Sequence, residues 1–149
     1  MTRVLIVDDS PTFRQILRYL LEQSPEIQVV GEAMDGAQAV EMVAYLEPNV
    51  ITMDVQMPDM DGLEATRRIM ARRPTPILIV TAHVDSPELN IAFEAMKAGA
   101  LDVMTKPGDF EKGEMGDWGR DLVAKIMAVS GIRPLPTGKS ENQDEEQVP

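Results

Sequence analysis

Five short apolar runs, rich in β-branched residues and separated by stretches of helical periodicity, constrain this chain more than any other feature. The runs are Val4–Val7, Ile27–Val30, Val50–Met53, Ile77–Val80 and Leu101–Met104. Despite Gln28, Thr52 and Asp102 they are too continuous for strands with one wet face, and read as strands buried on both faces. Between them lie amphipathic segments. Phe13, Ile16, Leu17, Leu20 and Leu21 share one face of a helix with Ser10 as its N-cap and Pro11 at its first position, where a missing N–H costs nothing. Ala37, Val40 and Ala44 mark a second helix that stops before Pro48, and Leu63, Thr66 and Met70 a third, ended by Pro74 and Pro76. Leu89, Ala92, Phe93 and Met96 give a fourth, closed by Gly99; Leu122, Ile126 and Val129 give a fifth, closed by Gly131.

Strands alternating with helices imply right-handed βαβ crossovers, hence an α/β domain with a doubly wound, five-stranded parallel sheet and helices on both faces. The expected domain spans residues 1–130. Residues 131–149 hold three prolines, two glycines and the acids Glu141, Asp144, Glu145 and Glu146, a composition expected to form a disordered linker or acidic tail. Only 4% of residues are aromatic, so aliphatic side chains and the 11 methionines must fill the core. A net charge of -11 repels phosphate backbones and anionic lipid, which argues against nucleic acid and membrane as partners. There is no cysteine, so disulfides and thiolate metal sites are excluded. The run Val4–Val7 is too short for a signal peptide or membrane span, and a cytoplasmic protein is the default expectation.

Ligands of open parallel sheets bind beyond the carboxyl ends of the strands. The residues just past each run therefore decide the chemistry. Asp8 and Asp9 stand after the first, Asp54 after the third, Thr81 after the fourth and Lys106 after the fifth, while Glu32 and Ala33 after the second carry no obvious role. Carboxylates gathered at one edge repel one another unless a cation sits among them. With only oxygen ligands on offer, Mg²⁺ is favoured, with Mn²⁺ as the other candidate. Taken singly, Asp8 or Asp9 reads better as an acid capping the first helix, Lys106 reads also as a solvated loop residue, and Thr81 as an ordinary strand-end residue. Asp54 is harder to explain away, because it directly ends a buried run. The coincidence of all four strand ends favours a site.

These residues closely resemble the receiver domains of two-component response regulators over roughly the first 130 positions. The resemblance rests on Val4-Leu5-Ile6-Val7-Asp8-Asp9-Ser10, on Met53-Asp54-Val55-Gln56-Met57-Pro58-Asp59-Met60-Asp61-Gly62, on Val80-Thr81-Ala82 and on Val103-Met104-Thr105-Lys106-Pro107. It implies a flavodoxin-like strand order of 2-1-3-4-5. Within the family, Gly99 to Pro107 is most similar to the receiver of the chemotaxis protein-glutamate methylesterase, which carries its catalytic domain after a linker. The chain is then either the front portion of such an enzyme or a stand-alone relative outside chemotaxis.

The resemblance further implies that Asp9, Asp54 and the backbone carbonyl of Gln56 bind Mg²⁺ directly, with Asp8 reaching it through water. Asp54 would accept a phosphoryl group from a histidine kinase, helped by Lys106. Thr81 would then turn inward onto the phosphoryl group and draw the loop His83–Pro87 with it. Receivers commonly place an aromatic switch residue three positions before the lysine; here that position is Val103. Whether the chain counts as an enzyme stays open: self-phosphorylation and autodephosphorylation are expected, without multiple turnover. Methylesterase activity would need residues beyond Pro149, since no G-x-S-x-G elbow is present.

Rival readings are weaker. A haloacid-dehalogenase-type phosphatase would want an aspartate where Gln56 stands. A flavin or nucleotide binder would not place Asp8 and Asp9 in its phosphate loop. Gly138-Lys139-Ser140 lacks the earlier glycine of a P-loop, because position 133 is Arg. Gly108–Gly119, with four glycines, reads as a long join into the last helix, and Trp118 within it has no assigned role.

Overall fold

The structure, a computed structural model, describes residues 1–82, 86–107 and 114–134. Strands and helices alternate throughout: β1 (Thr2–Val7), α1 (Pro11–Glu22), β2 (Ile27–Ala33), α2 (Gly36–Leu46), β3 (Val50–Met53), α3 (Gly62–Arg72), β4 (Ile77–Thr81), α4 (Ser86–Lys97), β5 (Asp102–Thr105) and α5 (Glu114–Ser130). All strand pairs are parallel, in the order β2-β1-β3-β4-β5. The doubly wound, five-stranded α/β expectation is met in full. Among the described residues, no helix is long and apolar enough to cross a membrane.

Alternate residues of each central strand enter opposite cores. Leu5, Val7, Ile51, Met53, Ile77 and Ile79 pack toward α2, α3 and α4, with Val40, Val43, Ile69 and Met70. Val4, Ile6, Val50, Leu78 and Val80 pack toward α1 and α5, with Phe13, Leu17, Leu21, Leu122 and Ile126. Burial on both faces holds for β3 and β4 along their whole length and for β1 from Val4 onward. It does not hold for β2 and β5, which are half-buried along much of their length. Both are edge strands, and an edge is covered on one flank only.

Helix starts match the sequence closely. The Ser10 hydroxyl accepts from the Phe13 N–H with Pro11 at the first position, and Asp35 and Asp61 cap α2 and α3 in the same way. At the far end of α4, Gly99 adopts a φ of 127°, a conformation that side chains resist.

Three expectations need correction. The core face of α2 is Ala39, Val40 and Val43, while Ala37 and Ala44 face solvent. Alanine is indifferent to burial, so alanine spacing alone set the wrong helical phase. Phe93 does not join the core: it is 54% exposed, and Ala92 and Ala95 make the buried contacts of α4 instead. The segment from Glu114 to Gly119 belongs to α5 rather than to a loop, with Gly119 buried against Leu20. A small residue there lets two helices approach. Residues 135–149 and the loop positions 83–85, including His83, lie outside the described residues, as do Gly108–Gly113.

Candidate phosphoryl and metal site

Backbone hydrogen bonds bring the strand ends into register at one edge. The Asp8 N–H donates to the Ala33 carbonyl at 3.1 Å, Asp54 N–H to Val7 at 3.0 Å, and Lys106 N–H to Thr81 at 2.7 Å. Asp8, Asp54 and Lys106 are thus each the first residue beyond a strand, tied to the neighbouring strand's last residue, while Thr81 is itself the last residue of β4. Side-chain placement comes from the sheet itself.

Carboxylate oxygens of Asp8, Asp9 and Asp54 all lie within 4.8 Å of one another. Asp8 and Asp54 are buried, at 1% and 4% exposure, whereas Asp9 is open to solvent. Lys106 reaches in from β5, its Nζ 2.7 Å from Asp8 Oδ2 and 3.5 Å from Asp54 Oδ2. The Gln56 N–H donates to Asp54 Oδ1 at 3.2 Å, and the Ser10 N–H to Asp8 Oδ1 at 2.9 Å. Thr81 is buried beside β5 at 1% exposure. Val103 is half-buried against the core shared with α4.

Burial pushes the Asp54 carboxyl up to about 6, and the neighbouring Asp8 charge pushes in the same direction. The Lys106 ammonium and the Gln56 N–H pull it back down, and Asp9 adds a further upward push. Three carboxylates against one ammonium leave negative charge in excess. A hard divalent cation offered oxygen ligands by Asp8, Asp9 and Asp54 would relieve it, so the donor set fits Mg²⁺ or Mn²⁺.

The approach of α3 requires a glycine. A Cβ on Gly62 would stand 2.2 Å from the Asp54 carbonyl oxygen and 2.8 Å from Val55 Cα, distances no side chain tolerates. Gly62 N–H donates to the Val55 carbonyl at 3.2 Å, closing the turn after Asp54. Asp59 in that turn has a φ of 64°.

Sequence reasoning passed over Glu32, Arg14 and Phe13 as site neighbours. Arg14 Nη1 donates to the Asp8 carbonyl at 2.6 Å, and Arg14 Nε pairs with Glu32 at 3.2 Å. Glu32 also pairs with Arg18 at 2.7 Å, which raises the Arg18 guanidinium. The only signal was positional: Glu32 is the penultimate residue of β2, in register with Ile6, and Arg14 lies one turn into α1. Phe13 presents its ring face to Lys106 Nζ, 4.3 Å from the centroid.

Known proteins agree with this geometry. A family model described as the response regulator receiver domain matches residues 4–114. A protein-glutamate methylesterase/protein-glutamine glutaminase of Anaeromyxobacter dehalogenans is 46% identical over 140 residues, which cover 91% of this chain and 41% of that protein. Another from Myxococcus xanthus is 49% identical, covering 88% of this chain and 37% of its own length. The chain thus spans about 40% of the length of these relatives. The crystal structure of the response regulator domain of Thermotoga maritima CheB superposes with a TM-score of 0.80 at 36% identity, over 90% of this chain and 99% of that one. The resemblance to methylesterase-type receivers is borne out. By fold, strand-end chemistry and family match together, the chain belongs to the response regulator receiver domain family.

Proposed function

We propose that Asp54 is the phosphoryl acceptor of a chemotaxis-type receiver, charged by a histidine kinase and switching the interactions of an effector. The observation that carries this reading is the convergence of three carboxylates within 4.8 Å, with the Lys106 ammonium 3.5 Å from the buried Asp54. Asp8, Asp9 and Asp54, with the backbone carbonyl of Gln56, are the groups that would hold Mg²⁺ or Mn²⁺. When bound, such an ion supplies neutralisation of the phosphoryl oxygens.

The chain's own residues account for the remainder. An ionised Asp54 oxygen attacks phosphorus; the bond from phosphorus to the donor's imidazole nitrogen breaks, and the imidazole leaves with that electron pair. A carboxylate is a weak nucleophile, so positioning and charge carry the catalysis. Lys106 balances charge on the transferring oxygens, and the Thr81 hydroxyl is the group that would hydrogen-bond the product. The acyl phosphate adds roughly one and a half to two negative charges to a site already rich in them. Its later hydrolysis makes the signal transient.

Residues 1–130 are the receiver in this reading, and residues 131–149 a linker or acidic tail. The end of α5 at Ser130 supports that boundary. The similar methylesterases, of which this chain spans about 40%, support an effector of that kind, either joined to the receiver or separate. The absence of a membrane-crossing helix among the described residues and the charge of -11 support a cytoplasmic module without nucleic acid partners.

The test is phosphoryl incorporation from acetyl phosphate with Mg²⁺, measured as acid-labile label on the intact chain. Wild type should incorporate and Asp54→Asn should not. Persistent incorporation by Asp54→Asn would falsify the assignment of the acceptor.

A further inference from the structure

The Lys106 ammonium must meet a phosphoryl oxygen in one place, yet lysine is a flexible stem ending in a rotatable donor group. Two carboxylates fix it from one side, and an aromatic surface fixes it from another. Phe13, buried in the first turn of α1, offers its ring face 4.3 Å from Lys106 Nζ. Trp118, in the first turns of α5, meets that ring edge-on, with centroids 6.0 Å apart and planes at 64°. The same indole donates through Nε1 to the Thr105 carbonyl at 2.7 Å, immediately before Lys106. One tryptophan therefore braces both the backbone leading into the lysine and the ring lying against its ammonium. It stands on a different element from either.

We propose that Phe13 and Trp118 are positioning residues for Lys106, and that Trp118 reports on the phosphoryl site from the start of α5. The inference rests on the acceptor reading above and adds a route by which that site is sensed. In the structure the ammonium is shared between Asp8 and Asp54. A phosphoryl group on Asp54 gives it new oxygen partners, so it shifts across the Phe13 face. Cation attraction to that face changes with the shift, and the indole packed against Phe13 moves in response. The residue three positions before the lysine is Val103, so this bracket supplies an aromatic contact where the β5 position supplies none.

Trp118 is the one tryptophan in the chain, so its emission is assignable without engineering. The experiment adds Mg²⁺ and then beryllofluoride to the full chain, recording emission and ¹⁹F NMR on the same samples. Emission should change as bound fluoride appears. The change should fall by more than half in Phe13→Leu and persist in Phe13→Tyr. In parallel, the initial rate of phosphoryl uptake from acetyl phosphate should drop about threefold to tenfold in Phe13→Leu. The Mg²⁺ concentration giving half-maximal rate should stay unchanged, and Phe13→Tyr should restore the rate. Trp118→Phe, which keeps a ring edge but loses the donor to Thr105, is the milder variant should Phe13→Leu fold poorly; it should slow uptake about twofold.

Unmoved emission despite ¹⁹F-detected fluoride would overturn the inference and leave the acceptor reading intact. So would wild-type rates in both Phe13→Leu and Trp118→Phe. Rate and Mg²⁺ affinity falling together in the variants would mark a general structural role and overturn it as well. No bound fluoride in wild type would overturn the acceptor reading, and this inference with it.

Discussion

On the face covered by α2, α3 and α4, the core under the sheet is aliphatic, built from Val, Leu, Ile, Ala and Met. The face under α1 and α5 carries Phe13 and, partly buried against it, Trp118. The two faces also meet the acidic edge differently. From the α3 side, backbone approaches backbone, with Gly62 against the Asp54 carbonyl. From the α1 side, long side chains do the work: Arg14 holds the Asp8 carbonyl and Phe13 lies against Lys106. A backbone contact admits almost no adjustment, whereas side-chain contacts can shift by fractions of an ångström. The loop after Asp54 is thus held rigidly from one side, while the adjustable side chains around Asp8 and Lys106 stand on the other.

The sharpest way to break this contrast is Gly62→Ala. Its new methyl would overlap the Asp54 carbonyl at 2.2 Å, and backbone cannot step aside as a flexible side chain can. The expected loss is about 3 kcal/mol or more in urea unfolding, above the usual cost of overpacking a core. Phosphoryl uptake should fall with it, because the Val55–Gly62 turn follows directly on Asp54, the proposed acceptor. A stability change under 1 kcal/mol would show that the α3 side is as pliable as the α1 side.

Next in size is the cost of ionising the buried Asp54. Asp54 binds its proton more tightly in the folded, cation-free protein than in the unfolded chain, with its carboxyl up at about 6. Its contribution to stability is therefore best below about pH 4, and is lost as pH rises through 6. The full cost at neutral pH is on the order of 3 kcal/mol. Asp54→Asn removes the ionisable group, so in EDTA the variant should exceed wild type in stability at pH 7 and lose that advantage near pH 4. Adding Mg²⁺ at pH 7 should narrow the gap by stabilising wild type alone. An equal effect of Mg²⁺ on both proteins would show that Asp54 does not face the cation.

Much of this organisation is legible in the sequence, because burial leaves a plain mark on short parallel strands. Val50–Met53 is an apolar, β-branched run broken only by Thr52, which is itself buried, and β3 occupies those four residues. Asp54 could be singled out for the same reason: a charge directly after such a run is costly unless it has a task. Edge strands were harder to delimit. β2 continues to Ala33 because pairing with Ile6 and Val7 carries Glu32 and Ala33 into the sheet, although a glutamate there interrupts the apolar pattern. The bracket on Lys106 left no mark at all. Phe13 fits the apolar stripe of α1, and nothing in its spacing says that its ring also meets an ammonium across the sheet edge. Trp118 lies among glycines that suggest a loop, yet packing against Leu20 makes that stretch helical.

A smaller effect separates the side-chain contacts of the α1 face from one another. Arg14→Met keeps an apolar stem but removes the donor to the Asp8 carbonyl and the pair with Glu32. A buried carbonyl losing a charged donor should cost about 1 to 2 kcal/mol in urea unfolding. Glu32 retains Arg18, so the change should stay confined to the β1 end rather than spread along β2. Hydrogen exchange at the Ser10 amide, which is held by Asp8 Oδ1, is the local check, and it should accelerate. An unchanged Ser10 amide would mean that Asp8 is fixed without Arg14.

The smallest expected effect falls on the aliphatic face. Phe93 sits on α4 at a position whose spacing suggests core, but 54% of it meets solvent while Ala92 and Ala95 lie buried beside it. An exposed ring on a helix whose buried contacts are made by alanines contributes little to folding, so Phe93→Ser should shift unfolding by less than about 0.5 kcal/mol. The same substitution separates stability from signalling, because α4 comes after β4 and its Thr81. Phosphoryl uptake from acetyl phosphate should match wild type, since Phe93 is turned toward solvent while Lys106 pairs with Asp8 and Asp54. A large loss of stability would mean that Phe93 folds back onto the core in solution, and that the α4 face is built like the α1 face after all.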